Sequence, residues 1–172
     1  MTTPRFLLLL IAMGSGCFQA NLPEVEITQR GLVFAGVPGA AQAGDLTATT
    51  SFTYSKTNAE WAKWVNLDVH IHQMTIAASG GVPNLCFIEH ATATVAAPSV
   101  STDKIQLLDY DRSQSDSSGW DIEIIRFDPV DITSFWTADR TILELRMTGQ
   151  LPEQDWTVDV TMTLSGKIAY QL

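Results

Sequence analysis

The sequence predicts an all-β fold: an antiparallel β-sandwich, immunoglobulin-like or related, with one short helix. Three observations carry this. Val65-Asn66-Leu67-Asp68-Val69-His70-Ile71-His72 alternates apolar and polar residues without a break, and Trp156 to Leu164 does the same. Such period-two patterning marks a strand with one buried face and one wet face. Further runs of this kind recur along the chain between polar or Gly/Pro turns, and only one stretch has helical spacing. A closed β-barrel is the alternative architecture.

The chain opens with MTTPRFLLLLIAMGSGC. Arg5 is the only charge before Cys17, and Phe6 to Met13 is an unbroken apolar run. That run is far too short to cross a bilayer, which takes about 20 apolar residues. The small residues Gly14, Ser15 and Gly16 then precede Cys17. A positive start, a short apolar run and a small-residue end describe a signal peptide. Cleavage after Ala20 is disfavoured, because it would put bulky Phe18 three positions before the cut.

Gly14-Ser15-Gly16-Cys17 resembles the lipobox of bacterial lipoproteins, with Gly14 where Leu is usual. The resemblance implies cleavage before Cys17, diacylglycerol on its thiol and a fatty acyl group, such as palmitate, on the new amine. Two or more chains make a stable anchor. The expected division is therefore a signal peptide at 1–16, a lipidated cysteine with a tether at 17–23 and a single β domain at 24–172. Lipoproteins kept in the inner membrane of enteric bacteria carry an acidic residue after the cysteine. Phe18 stands there, so the outer membrane is the expected address, on its periplasmic or surface face.

The strands follow in order. Val25, Ile27 and Leu32 to Phe34 make a first strand or hairpin, and Gly36 to Gly44 is a loop by composition. Asp45 to Tyr54 is a Thr-rich strand. Thr57-Asn58-Ala59-Glu60 fits a capping box, and Trp61, Trp64 and Val65 supply the apolar side of a two-turn helix. Strands are then expected at 65–72, 85–96, 105–110, 120–124, 142–147 and 156–170. The chain has no internal repeat, and its Cys and Trp spacing lacks the core signature of antibody domains.

Ten basic and 19 acidic residues give a net charge of −9, and removal of Arg5 leaves the mature chain near −10. Such a domain is repelled by nucleic acid and by anionic headgroups, so no nucleic-acid partner is expected. The membrane is reached through the N-terminal lipid alone, with an envelope protein or glycan as the further partner to look for. If Cys17 is acylated, Cys86 has no disulfide partner and reads as a small buried hydrophobe.

Candidate sites are few. His70 and His72 share one strand face, and His90 lies on a neighbouring strand, so three imidazoles are available for zinc or copper. The face also carries Asp68 and should be solvated. Asp109, Asp111 and Ser113 alternate like the early ligands of a calcium loop, but Gln114 and Trp120 stand where Gly and Glu should follow. Of the five tryptophans, Trp136 is the one expected at the surface and the others in packing. No nucleophile elbow, phosphate loop, dinucleotide fingerprint, CxxC or HExxH is present, so no enzyme activity and no cofactor are expected.

The body is similar to domains of uncharacterised myxobacterial-type lipoproteins. The shared stretches are Leu22 to Thr28, Gly81 to Ile88 and Leu151 to Val158. This resemblance implies β architecture and an envelope location and brings no ligand or catalytic residue with it. The functional expectation is a lipid-anchored envelope domain with a structural or interaction role. The alternatives are a binder of apolar ligands, with Met74, Phe87, Leu107 and Met147 lining its lumen, and a histidine-based metal protein or enzyme.

Overall fold

The computed structural model describes residues 18–39, 46–55, 65–101, 103–114, 122–136, 138 and 140–170. Eight strands run in the order β1 (Phe18–Phe34), β2 (Leu46–Ser55), β3 (Val65–Gly80), β4 (Ile88–Ala96), β5 (Lys104–Asp111), β6 (Ile122–Asp131), β7 (Arg140–Gly149) and β8 (Trp156–Tyr170). A short helix, α1 (Thr133–Trp136), joins β6 to β7, and a 3₁₀ turn at Arg112–Gln114 follows β5. No helix among the described residues is long and apolar enough to cross a membrane.

The strands form two antiparallel sheets, ordered β1-β8-β3-β6 and β2-β7-β4-β5. The chain changes sheet at every connection except β4 to β5. This is the order of an eight-stranded jelly roll. The expected two-sheet sandwich is therefore present, and it takes the related topology rather than the immunoglobulin one, whose sheets hold consecutive strands.

The core follows from the alternation. On β8, Trp156, Val158, Val160, Met162 and Leu164 all face inward. Ala91, Ala93 and Val95 do so on β4, and Leu143, Leu145 and Met147 on β7. β3 is different. Its buried residues are Val69 and Ile71, then Met74 and Ile76, so the phase slips by one. A bulge between Ile71 and Gln73, seen in the register with both β6 and β8, absorbs the extra residue. Without it the strand would turn its second half inside out.

Three expectations change. Residues 18–22 pair with 166–170 of β8 as the start of β1, so they are strand and not tether. The first strand is single and long because two bulges, at Leu22/Val25 and Gln29/Leu32, let it bend without breaking. Cys86 is exposed, not buried. The Asn84 side chain accepts a hydrogen bond from the Cys86 amide (3.1 Å), and in that turn Leu85 takes the inward position. The helix expected at 57–65 falls on residues 57–64, outside the described ones, and Val65 already belongs to β3.

At one end of the sandwich Trp156 stacks on Phe34 (centroids 4.3 Å apart) and meets Phe87 edge-on (5.1 Å). Its indole N–H, fully buried, has no hydrogen-bond partner. Packing in the core holds this ring without a hydrogen bond. Trp156→Ala should lower unfolding free energy by about 3–5 kcal/mol, read from the midpoint of urea denaturation. A loss below about 1 kcal/mol would show that the ring is not an anchor of the core.

Candidate metal centre

Asp68 and His70 are two apart on β3 and flank Val69, whose side chain is buried. Both therefore project from the outer face of the sheet. β6 runs beside β3, and its last residue, Asp131, lies opposite His70 in the register. Asp68, His70 and Asp131 thus each offer a ligand atom, all within 4.8 Å of one another. They form the one such group among the described residues.

The backbone beneath them is fixed. The Ile132 amide donates to the Val69 carbonyl (2.9 Å), and the Val69 amide donates to the Thr133 hydroxyl (2.8 Å). The Thr133 amide in turn donates to Asp131 Oδ1 (2.8 Å). The hydroxyl and then the amide of Thr133 hold the Asp131 carboxyl below its ordinary range. Partial burial opposes this, and a protonated His70 ring adds to the lowering. Asp131 is thus an anion at neutral pH, aimed by its own cap.

His70 Nδ1 and Asp68 Oδ1 are 3.4 Å apart. This is long for a hydrogen bond, whose N···O distances lie at about 2.7–3.2 Å. It matches another geometry. Zinc bonds of about 2.0–2.1 Å to nitrogen and 2.0–2.2 Å to oxygen, at a tetrahedral angle, separate the two ligand atoms by about 3.4 Å.

The other sequence candidates are distributed differently. His72, at the β3 bulge, approaches Glu24 of β1 (3.5 Å) and gathers no third ligand among the described residues. His90 belongs to the other sheet and faces Asp111 (3.9 Å). The three histidines therefore do not converge; only His70 enters the cluster, and its partners are carboxylates. Asp131 carries no signal in the sequence, since only strand pairing brings it near His70.

Asp111 serves the turn that follows it. Its Oδ1 accepts from the amide (2.9 Å) and hydroxyl (2.7 Å) of Ser113, and its Oδ2 from the Gln114 side chain (3.3 Å). Those Ser113 bonds lower its carboxyl from the usual range. Asp109 stands two residues earlier on β5, opposite Thr92, and joins no ligand group. Cys17, Trp61, Trp64 and Trp120 lie outside the described residues.

One apolar cleft lies between the sheets beneath α1, lined by residues including Ile71, Val95, Ile132, Phe135, Leu143 and Leu164. Its volume is about 50 Å³. Sites for small organic ligands run to about 300–1,000 Å³. Met74, Leu107 and Met147 are buried in the core, and none of them lines this cleft; nor does Phe87, which packs on Trp156.

No protein-family profile matches this chain, and no curated protein sequence does. Among solved structures it is similar to the decameric BFDV capsid protein, at 12% identity and a TM-score of 0.40, over 89% of this chain and 99% of that one. It is similar to the 60-mer BFDV capsid protein at 10% identity and 0.41, over 91% and 95%. The infectious bursal disease virus Gx strain structure gives 11% identity and 0.34, over 91% of this chain and 36% of that one. Likenesses this weak carry no argument about what the chain does.

The lowered Asp131 carboxyl sets a pH dependence. A depressed folded-state value contributes stability above the unfolded value, near 3.9, and that contribution is lost as pH falls through the folded value. Asp131→Asn should be slightly less stable than the parent at pH 5 to 7, with the gap closing in acid below about pH 4. Denaturation midpoints across pH 2 to 7 test this; a gap that stays constant into acid contradicts it.

Proposed function

We propose that this domain binds a divalent ion of the zinc class through Asp68, His70 and Asp131, and does so as an exported, lipid-anchored protein of the cell envelope. The observation that carries the first half is the 3.4 Å span between His70 Nδ1 and Asp68 Oδ1, with Asp131 in reach as third ligand. Three protein ligands on a solvent-facing sheet leave one position open, for water or for a donor from outside. The mixed nitrogen and oxygen set suits zinc better than calcium or magnesium, which prefer oxygen throughout.

The reading as a carrier of apolar molecules has less support. The cleft beneath α1 is several-fold smaller than sites for such ligands. The anchor is supported by the sequence: Gly14-Ser15-Gly16-Cys17 closes a signal-like N-terminus. Because β1 begins at Phe18, a lipid on Cys17 would hold the sandwich directly against the bilayer, without a spacer.

Isothermal titration with zinc should give one site per chain. His70→Ala should abolish it, and His90→Ala should leave it unchanged. Thr133→Val removes the hydroxyl behind Asp131 and should weaken binding about 10–100-fold. Binding that survives His70→Ala, or that disappears with His90→Ala, would overturn the assignment.

The anchor has its own test. Mass spectrometry of the mature protein should find an N-terminal Cys17 carrying diacylglycerol, and Cys17→Ser should release the chain from the membrane fraction. A mature chain starting at Asn21 without lipid would refute the anchor and leave the metal site untouched.

A further inference from the structure

Four strands end the two sheets: β1 and β6 in one, β2 and β5 in the other. A free edge presents unpaired N–H and C=O groups and invites another strand, so proteins blunt such edges with bulges, charges, proline or short length. Three edges here are blunted. β1 carries two bulges, Pro23 and the charges Glu24, Glu26 and Arg30. β5 is eight residues long, includes Lys104, Asp109 and Asp111, and slips register against β4 at Ala93/Thr94. β6 carries Glu123, Arg126, Asp128 and Asp131, contains Pro129, and loses register against β3 at the bulge.

β2 has none of these devices. Its ten residues, LTATTSFTYS, include no charge, proline or glycine. They pair with β7 one for one, from Leu46 opposite Gly149 to Ser55 opposite Arg140, with no shift. Among the described residues β2 pairs with β7 alone. Thr47, Thr49, Ser51 and Thr53 are exposed, which gives the strand an outward row of hydroxyls.

We propose that this edge pairs with the β2 edge of a second copy of this chain, antiparallel about a two-fold axis, joining two four-stranded sheets into one of eight. Two features of β2 select a second copy over an unrelated strand. First, a two-fold contact brings together two chains of net charge −9 that repel, and β2 is a ten-residue edge that adds no charge of its own to the contact. Second, antiparallel pairing that keeps outward residues opposite outward residues sets hydroxyls against hydroxyls. With the axis through Thr50, Thr49 faces Ser51 and Thr47 faces Thr53. The metal ligands lie on the other sheet, so this contact stands independently of the metal reading.

The test uses the full mature protein in detergent and in native membranes. Sedimentation analysis should give twice the mass of one chain for the parent and the mass of one chain for Thr49→Lys, whose site is exposed and tolerates the change. Circular dichroism should match between the two. In a Cys86→Ser background, Thr47→Cys, Thr49→Cys and Ser51→Cys, made one at a time, should form disulfide-linked dimers under mild oxidation, with one position dominant. Asp109→Cys on the β5 edge should not. A parent that sediments as one chain, dimers equally strong from Asp109→Cys, or cross-links only to a protein of different mass would each overturn the proposal.

Discussion

Both backbone groups of Val69 are committed to one corner of the chain. Its carbonyl accepts from the Ile132 amide, and its own amide donates to the Thr133 hydroxyl. Its side chain is buried in the core. The residues on either side, Asp68 and His70, face outward, and the residue before the corner is Asp131. One residue therefore fixes three ligands, because moving any of them means breaking the sheet edge or opening the core. Thr133 takes part twice, since its hydroxyl replaces the strand acceptor that β6 no longer supplies to Val69, and its amide caps Asp131. The same corner leads into α1, where Phe135 is buried over the cleft and accepts a hydrogen bond from the Thr141 hydroxyl (2.8 Å).

The two ends of the sandwich are built differently. Around Trp156 three aromatic rings pack together, and Trp156 and Phe34 are fully buried. Beneath α1 the sheets are joined by mostly aliphatic side chains with Phe135, which leave a gap of about 50 Å³. A gap of that size costs contact energy to its lining. At this end Val69, Ile132 and Thr133 are tied to each other by hydrogen bonds. The ligand cluster sits outside this braced but less densely filled end.

The strands were legible because alternation is a local signal. Trp156 to Leu164 reads as a half-buried strand, and every second residue there is buried. What alternation cannot show is a slip in its own phase. The β3 pattern is clean from Val65 to His72, and the strand continues to Gly80 only because a bulge resets it. Alternation ends at His72, where the phase breaks, and it divides β1 for the same reason. The candidate metal site was half legible. His70 was read on a wet face beside Asp68, because two residues apart on a strand means one face. Asp131 is 61 positions further on, and only the pairing of β6 with β3 brings it in. His90 looked near because its strand follows β3 in sequence, but the chain changes sheet between β3 and β4. A jelly roll defeats the assumption that consecutive strands are neighbours.

The charge balance of the cluster bears on what it is for. Asp68 and Asp131 bring two carboxylates within 4.8 Å of a single imidazole. A chain that is already strongly acidic gains nothing in stability from adding like charges side by side. The protein holds Asp131 ionised at neutral pH. Hydrogen bonds from Thr133 lower its carboxyl and keep it ionised. His70 offsets only one of the two charges, and only when protonated, which leaves the group negative in the neutral range. The fold thus maintains an oriented negative site that protonation relieves only in acid. An ionised Asp131 beside Asp68 and His70 gives the candidate site a negative charge that a divalent cation would neutralise.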